Sequence, residues 1–146
     1  MSKVILVTGG SSGIGRSIAS YVHEKNNYVV YGSSRDIKKL DVVSFVPIEL
    51  DVTSEKSINS CVEKIINEQG KIDVLINNAG VGITGPLEEI PNSEIEKHFK
   101  TNLYGPINLI KKVLPHMRKN NNGLIINITS IAGHIGTPYR SIYSAG

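Results

Sequence analysis

The sequence predicts one α/β domain in which parallel strands alternate with helices. Short apolar runs of strand length, such as Val4 to Thr8, alternate with segments in which apolar residues recur every three or four positions. The length of 146 residues fits a single domain. A content of 40% hydrophobic and 20% charged residues is typical of a globular chain and excludes a disordered or fibrous one. Because the sequence shows no repeat or linker, residues 1–146 are expected to form one domain.

The first half of the chain predicts three strands and two helices. Val4 to Thr8 is a continuous run of mostly Val, Ile and Leu, as in the buried strands of parallel sheets. Further strands are predicted at Tyr28 to Gly32 and at Val43 to Leu50, where Pro47 favours an edge position. The first helix has an apolar stripe comprising Ile14, Ile18 and Val22. The second helix has an apolar face comprising Ile58, Val62, Ile65 and Ile66.

The second half predicts a fourth strand, a long helix and a fifth strand. Gly70 is a C-cap candidate for the second helix, and Val74 to Ile76 reads as the fourth strand. The following loop is marked by Gly82, Gly85, Pro86 and Pro91. Ser93 and Glu96 have the spacing of a capping box at the start of the long helix. Its predicted apolar face comprises Ile95, Phe99, Leu103, Ile107, Ile110 and Leu114. Leu124 to Ile128 is the fifth strand.

Charge and hydropathy exclude several classes of partner. The formal charge is +3 and the basic residues are scattered, so no stripe for nucleic acid is present. Apolar runs such as Leu124 to Ile126 fall far short of the roughly 20 residues that a membrane helix needs, and no signal peptide is evident. Cys61 has no partner for a disulfide. The spacing of metal ligands is absent from His23, His98 and His116. We expect a cytoplasmic protein.

A glycine-rich turn joins the first strand to the first helix. Gly9, Gly13 and Gly15 form the pattern G-x-x-x-G-x-G. Glycine permits positive φ and close approach of the backbone to a ligand, and helix N-termini offer free N–H groups to a pyrophosphate. The predicted dinucleotide-binding residues here are Gly9, Ser11, Ser12, Gly13, Ile14 and Gly15. The alternative is a tight turn whose glycines serve packing alone.

The end of the second strand predicts which coenzyme is bound. An acidic residue about 20 positions after the glycine turn would hold the ribose 2′-hydroxyl of NAD. The count from Gly15 instead reaches Arg35, preceded by Ser33 and Ser34. A guanidinium with neighbouring hydroxyls suits a 2′-phosphate, so the sequence favours NADP over NAD. Asp36 leaves the opposite assignment open, because a slip of one residue would place an acid there, and Arg35 could also be a solvated turn residue.

Two more segments are expected at the carboxyl edge of the sheet. Asp51, with Val52 beside it, ends the third strand within reach of an adenine amino group. Alternatively, Asp51 is a helix-flanking charge that suits the following N-terminus. Asn78, Ala79 and Gly80 follow the fourth strand and could line the crevice beside a coenzyme, or form an Asn-rich turn.

Together these motifs resemble the short-chain dehydrogenase/reductase family. Its marks are T-G-x-x-x-G-x-G, which Thr8 to Gly15 match, and a later N-N-A-G, which Asn77 to Gly80 match. The similarity runs from Val4 to Gly146 with the motifs in family order. It implies a three-layer, Rossmann-like, doubly wound parallel sheet with strand order 3-2-1-4-5, in which the family's C-terminal strands are missing.

The resemblance also implies a reaction and its residues. The family interconverts carbonyls and alcohols, here with NADP(H), so the expected substrate is a small-molecule carbonyl or alcohol. Ser130 matches the serine that holds the substrate oxygen, and Tyr143 matches the tyrosine that protonates it. Asn102 matches the helix asparagine of the catalytic set. His134 and Tyr139 lie where family members meet their substrate. Taken singly, Ser130 could be a strand-end cap and Tyr143 a helix residue with a buried ring.

Asn102 has a second feature that the sequence predicts independently. In an α-helix its carbonyl would accept the N–H of residue 106, but Pro106 has none. A kink there, aided by Gly105, would turn the free carbonyl toward the crevice, where it could hold a water. In the family, the main chain of this asparagine anchors a water of the proton relay. Alternatively, Gly105 and Pro106 end one helix and begin another.

The sequence also departs from the family pattern. The family's catalytic lysine belongs at position 147, after Gly146. The helix that bears Tyr143 would have about one turn, too little to stand without tertiary packing. We therefore expect a truncated form of a longer reductase with weak or absent catalysis, and the alternative is a non-catalytic dinucleotide-binding fragment. Because family members usually assemble through the long helix and the tyrosine-bearing helix, a homo-oligomer is a further expectation.

Overall fold

The computed structural model describes residues 2–25, 27–40 and 42–146. The strands are β1 (Lys3–Val7), β2 (Tyr28–Ser34), β3 (Val46–Glu49), β4 (Val74–Asn77) and β5 (Leu124–Asn127). The helices are α1 (Gly13–His23), α2 (Glu55–Gln69), α3 (Asn92–Phe99), α4 (Gly105–Lys119) and α5 (Ser141–Ala145). A π turn at Lys100–Tyr104 joins α3 to α4. In these three ranges, no helix combines the length and the apolar character that crossing a bilayer requires.

The five strands form one parallel sheet in the order β3-β2-β1-β4-β5. This order confirms the prediction. β3, which contains Pro47, lies at one edge as expected, and β5 lies at the other. Because all the strands run in one direction, the loops that follow them gather at the carboxyl edge, which is where ligands bind in open α/β sheets.

Helices cover both faces of the sheet and make three layers. Successive residues of β1 point to opposite faces, so that Leu6 packs toward α2 and α4 while Ile5 packs toward α1. The cluster on the α2 and α4 face includes Leu6, Val62, Leu75, Leu109 and Val113. The cluster on the α1 face includes Ile5, Val7, Ala19, Val30 and Ile76. Burial on both faces explains why β1 is continuously apolar.

Asp73 fastens the amino edge of the sheet. Its carboxylate accepts the N–H of Val4 at 2.8 Å, pairs with Lys71 at 2.9 Å and accepts from the Asn122 amide at 2.8 Å. Burial acts to raise the pKa of Asp73, but the Val4 N–H and Lys71 outweigh burial, so the pKa lies below its ordinary value. One side chain therefore links the beginnings of β1, β4 and β5.

The predicted third strand was too long. β3 begins at Val46, three residues after the predicted start at Val43. Val43 and Phe45 are packed into the cluster on the α1 face instead. The Phe45 ring lies against Gly32, where an added Cβ would overlap it. The apolar residues before β3 therefore cover the end of β2 rather than pair with it.

Helix ends agree with the sequence in one place and differ in two. Gly70 is the C-cap of α2 in the left-handed conformation, with φ 75°. The predicted capping box of Ser93 and Glu96 was wrong, because α3 starts directly after Pro91 and no side chain of the described residues caps it. Ile14, predicted for the apolar stripe of α1, is 63% exposed in its first turn. The Ile14 side chain therefore points away from the core.

The buried face of the long helix is only partly the predicted one, because Ile110 packs against the core but three other predicted residues are exposed. Leu103, Ile107 and Leu114 of the predicted face are 38%, 42% and 36% exposed. The residues that are buried instead are His98, Thr101, Gly105, Leu109, Val113 and Met117. Three of these six residues are polar or lack a side chain. A prediction based on the spacing of apolar residues therefore placed the buried face on the neighbouring side of the helix.

Candidate functional site

The glycine-rich turn is locked to the loop after β4. The hydroxyl oxygen of Thr8 accepts the N–H groups of Asn78 and Ala79, both at 2.9 Å. In the other direction, the Asn78 side-chain amide donates to the carbonyl of Thr8 at 2.9 Å and lies 3.5 Å from that of Gly9. Thr8 is 1% exposed, so these bonds form inside the protein. They fix the two loops that flank the predicted coenzyme site.

The geometry of this turn requires glycine at two positions. Gly9 has φ 71°, a left-handed conformation that costs an L-residue energy. At Gly15, an added Cβ would overlap the carbonyl oxygen of Gly9 and the side-chain amide of Asn78. The turn and the loop after β4 are therefore in contact with no space for a side chain between them.

The first turn of α1 offers hydrogen-bond donors to an anion. Ser12 occupies the N-cap, but its side chain accepts no capping hydrogen bond, and the first turn contains no acidic residue. The first N–H groups of an α-helix have no intrahelical partner. Together with the positive end of the helix dipole, they suit a phosphate. Gly13, Ile14 and Gly15 carry these groups.

A cleft of about 300 Å³ opens at the carboxyl edge of the sheet. Its lining includes ten of the thirteen residues predicted to bind the coenzyme, namely Gly9, Ser11, Ser12, Ser34, Arg35, Asp51, Val52, Asn78, Ala79 and Gly80. Gly13, Ile14 and Gly15 are outside the lining, in the first turn of the adjoining helix. The cleft is also lined by Asp36, Lys39, Leu50, Thr53, Val81 and Thr101. Four separate loops therefore contribute to one concave surface.

Arg35 and Asp36 differ in what their side chains do. The Asp36 carboxylate accepts the N–H of Lys38 at 3.1 Å, and the Ser34 hydroxyl accepts the N–H of Asp36 at 3.2 Å. Asp36 therefore caps the 3₁₀ turn at Ile37–Leu40. Arg35 is exposed at the end of β2, and Lys39 adds a second cation to the same end of the cleft.

Asp51 performs the local role that the sequence left open, and it also lines the cleft. Its Oδ1 accepts from both the N–H and the hydroxyl of Thr53, at 2.9 and 2.8 Å. This hydrogen-bonded turn leads into α2, whose N-cap is Ser54 rather than Asp51. The position in the cleft keeps the carboxylate available to a ligand.

Asn102 lies in the π turn between α3 and α4. The distortion sits directly before Pro106, where the sequence predicted that regular helical bonding fails. α4 begins at Gly105 with Pro106 in its first turn, as the alternative had it, and the π turn joins α4 to α3 without a loop. The side-chain amide of Asn102 accepts the N–H of Val81 at 2.9 Å and donates to the Val81 carbonyl at 3.0 Å. This two-way contact ties the π turn to the loop that lines the cleft.

Ser130 and Tyr143 line a second cavity, of about 450 Å³. Its other lining residues are Ile131, Ala132, Ile135, Thr137, Pro138 and Arg140. Ser130 does not close β5 as expected, because the strand ends at Asn127 and Ser130 caps the next 3₁₀ turn by accepting the Ala132 N–H at 3.2 Å. Tyr143 lies in α5, which has only five residues, as the sequence predicted.

The remaining predicted residues lie outside the linings of both the cleft and the cavity. Asn102 lines neither the cleft nor the cavity, and its π turn reaches the cleft through Thr101. His134 and Tyr139 are exposed and outside the cavity lining. Tyr139 has φ 63°, and its carbonyl accepts the N–H of Gly85 at 3.0 Å. This contact ties the segment before α5 to the loop after β4.

Sequence reasoning missed several residues of the site. Thr8 was noted only as part of a motif, although its hydroxyl joins two loops. Lys39 could have been found from its spacing, since it follows Arg35 by one helical turn. No sequence motif marks Val81 or Arg140. Only folding brings Val81 to the cleft and Arg140 to the Tyr143 ring.

A family model described as short chain dehydrogenase matches residues 3–146. The chain belongs to the short-chain dehydrogenase family. Among the curated relatives of this short-chain dehydrogenase chain is a 3-ketodihydrosphingosine reductase of Bacteroides thetaiotaomicron, 46% identical over 143 residues, which are 98% of this chain and 52% of the relative. A 3-oxoacyl-[acyl-carrier-protein] reductase FabG of Staphylococcus epidermidis is 38% identical over 155 residues, with 99% of this chain and 63% of the relative covered.

The solved structure described as ElxO with NADP bound has the same fold. It superimposes on this short-chain dehydrogenase chain with a TM-score of 0.92 at 37% identity, covering 99% of this chain and 62% of ElxO. The chain therefore spans between 52% and 63% of the length of these three relatives.

Proposed function

We propose that this chain binds NADP(H) and that the protein containing it interconverts a small-molecule carbonyl and an alcohol. The observation that carries the proposal is the cleft, which brings together four loops at the carboxyl edge of a parallel sheet. Support for NADP in particular comes from Arg35 and Lys39, two cations that line the same end of the cleft as Asp36.

The residues present fit a dinucleotide. The uncapped first turn of α1 and the glycine turn before it form a cradle for a pyrophosphate. A Cβ on Gly15 would disrupt the contact that shapes this cradle. The exposed guanidinium of Arg35 could form a charge-assisted pair with a 2′-phosphate. Asp51 lines the same cleft, and we assign its carboxylate to the adenine amino group.

The proposed chemistry needs a proton donor and a hydrogen-bond donor at one substrate oxygen. When bound, the coenzyme supplies the hydride to the carbonyl carbon, or accepts it in the reverse reaction. Ser130 would donate a hydrogen bond to the carbonyl oxygen while Tyr143 transfers a proton to it. Their place in one cavity supports these roles. Asn102 would act through its main chain in the proton relay.

A titration with the two coenzymes tests the binding part. NADPH should bind more tightly than NADH, and Arg35→Ala should weaken NADPH about tenfold with little effect on NADH, because a charge-assisted hydrogen bond is lost. Lys38→Ala is the matched control, since Lys38 is an exposed cation outside the cleft lining. Equal weakening of both coenzymes by Arg35→Ala would refute the assignment of Arg35.

Turnover is measured on the chain together with any sequence that follows Gly146 in its gene, because the relatives are longer. Loss of nicotinamide absorbance with members of a carbonyl panel would support the proposed reaction. Coenzyme binding without turnover of any of them would instead favour the alternative of a non-catalytic dinucleotide-binding unit.

We also propose that the protein forms a homo-oligomer through the exposed face of the long helix. Leu103, Ile107 and Leu114 place apolar side chains in solvent along this face. Ile107→Lys should therefore shift the protein to a smaller species in analytical ultracentrifugation, while Lys56→Glu, at an exposed position on α2, should shift it less. A monomer for the unsubstituted protein would refute this part.

A further inference from the structure

His98 is a buried polar residue for which the proposed reaction has no role. It lies in the last turn of α3 and is 1% exposed. Its Nδ1 is 3.4 Å from the side-chain nitrogen of Asn102. Its ring centroid is 5.9 Å from that of Tyr143, with the rings tilted by 53°. His98 therefore contacts two of the three residues assigned to the chemistry.

The hydrogen bonds around Asn102 determine which nitrogen of His98 carries the proton. The Val81 N–H must face the Asn102 side-chain oxygen, and the Val81 carbonyl must face the side-chain nitrogen. This orientation leaves the second N–H of the Asn102 amide directed at His98 Nδ1. Nδ1 must then be the acceptor, so the proton of the neutral ring is on Nε2. A proton on Nδ1 would point at the N–H of the Asn102 side-chain amide and repel it. This repulsion would favour a 180° flip of the amide, which would break both of its hydrogen bonds to Val81.

The other edge of the His98 ring lies against the end of α5. Nε2 is buried and has no hydrogen-bond partner among the described residues. A Cβ on Gly146 would overlap this nitrogen, so the backbone there approaches the ring as closely as a glycine allows. The ring thus separates the Asn102 turn from the helix that bears Tyr143, and it fixes their spacing.

We propose that His98 is a positioning residue whose Nδ1 holds the Asn102 amide in its orientation toward Val81. Its effect on turnover rests on the proposed function, whereas its effect on the Val81 contact does not. By accepting a hydrogen bond from the Asn102 amide, His98 keeps the π turn hydrogen-bonded to Val81 in the loop that lines the cleft. Through its ring, it also sets the distance between that turn and Tyr143.

Two variants separate the acceptor from the volume of the side chain. His98→Leu fills much of the space but removes the acceptor, while His98→Asn supplies an oxygen close to the position of Nδ1. The first measurement is amide hydrogen exchange by NMR at Val81, without coenzyme. His98→Leu should speed exchange at Val81 roughly fivefold, the effect of one hydrogen bond, and His98→Asn should restore most of the protection. Leu75, in the core of β4, reports global stability and should change less than Val81 in both variants.

The second measurement is turnover of the chain together with any sequence that follows Gly146 in its gene. kcat should fall in both variants but less in His98→Asn, which keeps the acceptor and loses only the ring. Equal exchange rates at Val81 in all three proteins, or equal acceleration in both variants, would overturn the proposal. If the unsubstituted protein shows no turnover, the proposed function fails, but the exchange result still decides the role of His98 in positioning Asn102.

Discussion

The coenzyme cleft and the catalytic segment, Ser130 to Gly146, are held together in different ways. Around the cleft, hydrogen bonds join residues far apart in the chain, such as Thr8 with Asn78 and Leu50 with Ser34. In the catalytic segment, backbone bonds mostly join residues three or four apart, such as Ser144 with Arg140. Longer connections of this segment include the Gly85 bond to Tyr139 and the contacts of Tyr143 and Gly146 with His98.

This difference indicates that binding and chemistry depend on different parts of the fold. The cleft is formed by the ends of core strands, so its shape is set as soon as the sheet is complete. The catalytic segment follows β5 and lines a separate cavity. Substitutions in one region should therefore leave the other largely intact.

The largest expected effect is confined to the catalytic segment. Tyr143→Phe removes the hydroxyl to which we assign the proton transfer. Measured on the chain together with any sequence that follows Gly146 in its gene, kcat should fall by about 10²- to 10⁴-fold. The dissociation constant for NADPH should change little, because Tyr143 lies outside the cleft lining. Steady-state kinetics and a fluorescence titration measure the two quantities. Tyr139→Phe is the matched control, and a variant at Tyr143 with full turnover would refute the assignment.

A substitution in the glycine turn should have the opposite effect and weaken coenzyme binding. Gly15→Ala forces the turn away from Asn78, at a cost of about 1–3 kcal/mol for overpacking, and coenzyme affinity should fall at least about tenfold. Gly82→Ala, where an added Cβ meets no atom within 4 Å, is the control. Calorimetric titration with NADPH compares them. Unchanged affinity in Gly15→Ala would show that the cradle is not where the coenzyme binds.

A smaller effect, on stability alone, is expected at the amino edge of the sheet. The folded pKa of Asp73 is lowered, so ionised Asp73 stabilises the fold above its unfolded pKa near about 4, and this contribution is lost as the pH falls through the folded pKa. Asp73→Asn should lower the unfolding free energy by about 1–2 kcal/mol at pH 7, and the difference from the unsubstituted protein should shrink toward pH 3.

Urea unfolding at the two pH values measures this effect. Glu96→Gln is the control, because the Glu96 side chain is 68% exposed on α3. A constant difference between Asp73→Asn and the unsubstituted protein across this range would show that ionisation of Asp73 does not stabilise the fold. Coenzyme affinity should stay unchanged at pH 7, since Asp73 lies at the edge opposite the cleft.

Sequence patterns predicted the sheet and most of the cleft because those features are recorded locally. β1 is buried on both faces and is therefore continuously apolar, and the glycines of the turn follow it directly. The residues that line the cleft follow the strands whose order the resemblance implied. Pro47 likewise marked the edge strand, because it cannot donate a ladder hydrogen bond.

The features that the sequence did not reveal depend on contacts between distant segments. The long helix buries His98, Thr101 and Gly105 toward the site, so its functional side looks less apolar than its exposed side. Val43 and Phe45 look like a strand, but the space beside Gly32 accommodates Phe45 as a loop residue. Hydrophobic periodicity predicts neither feature. It shows how apolar one face of a segment is, but not which other segment packs against that face.

The π turn at Lys100–Tyr104 has a consequence for how this stretch can vary. A π turn accommodates one more residue than a regular turn of the α-helix. The extra residue is taken up within the turn, so α3 and α4 keep the relative orientation they would have in an unbroken helix with one residue fewer. Removing one residue there would restore regular winding and shift Asn102 relative to Val81, while Leu109 and Val113 stayed in the core. A single-residue deletion in this stretch should therefore remove the contact with Val81 and leave the packing of α4 intact.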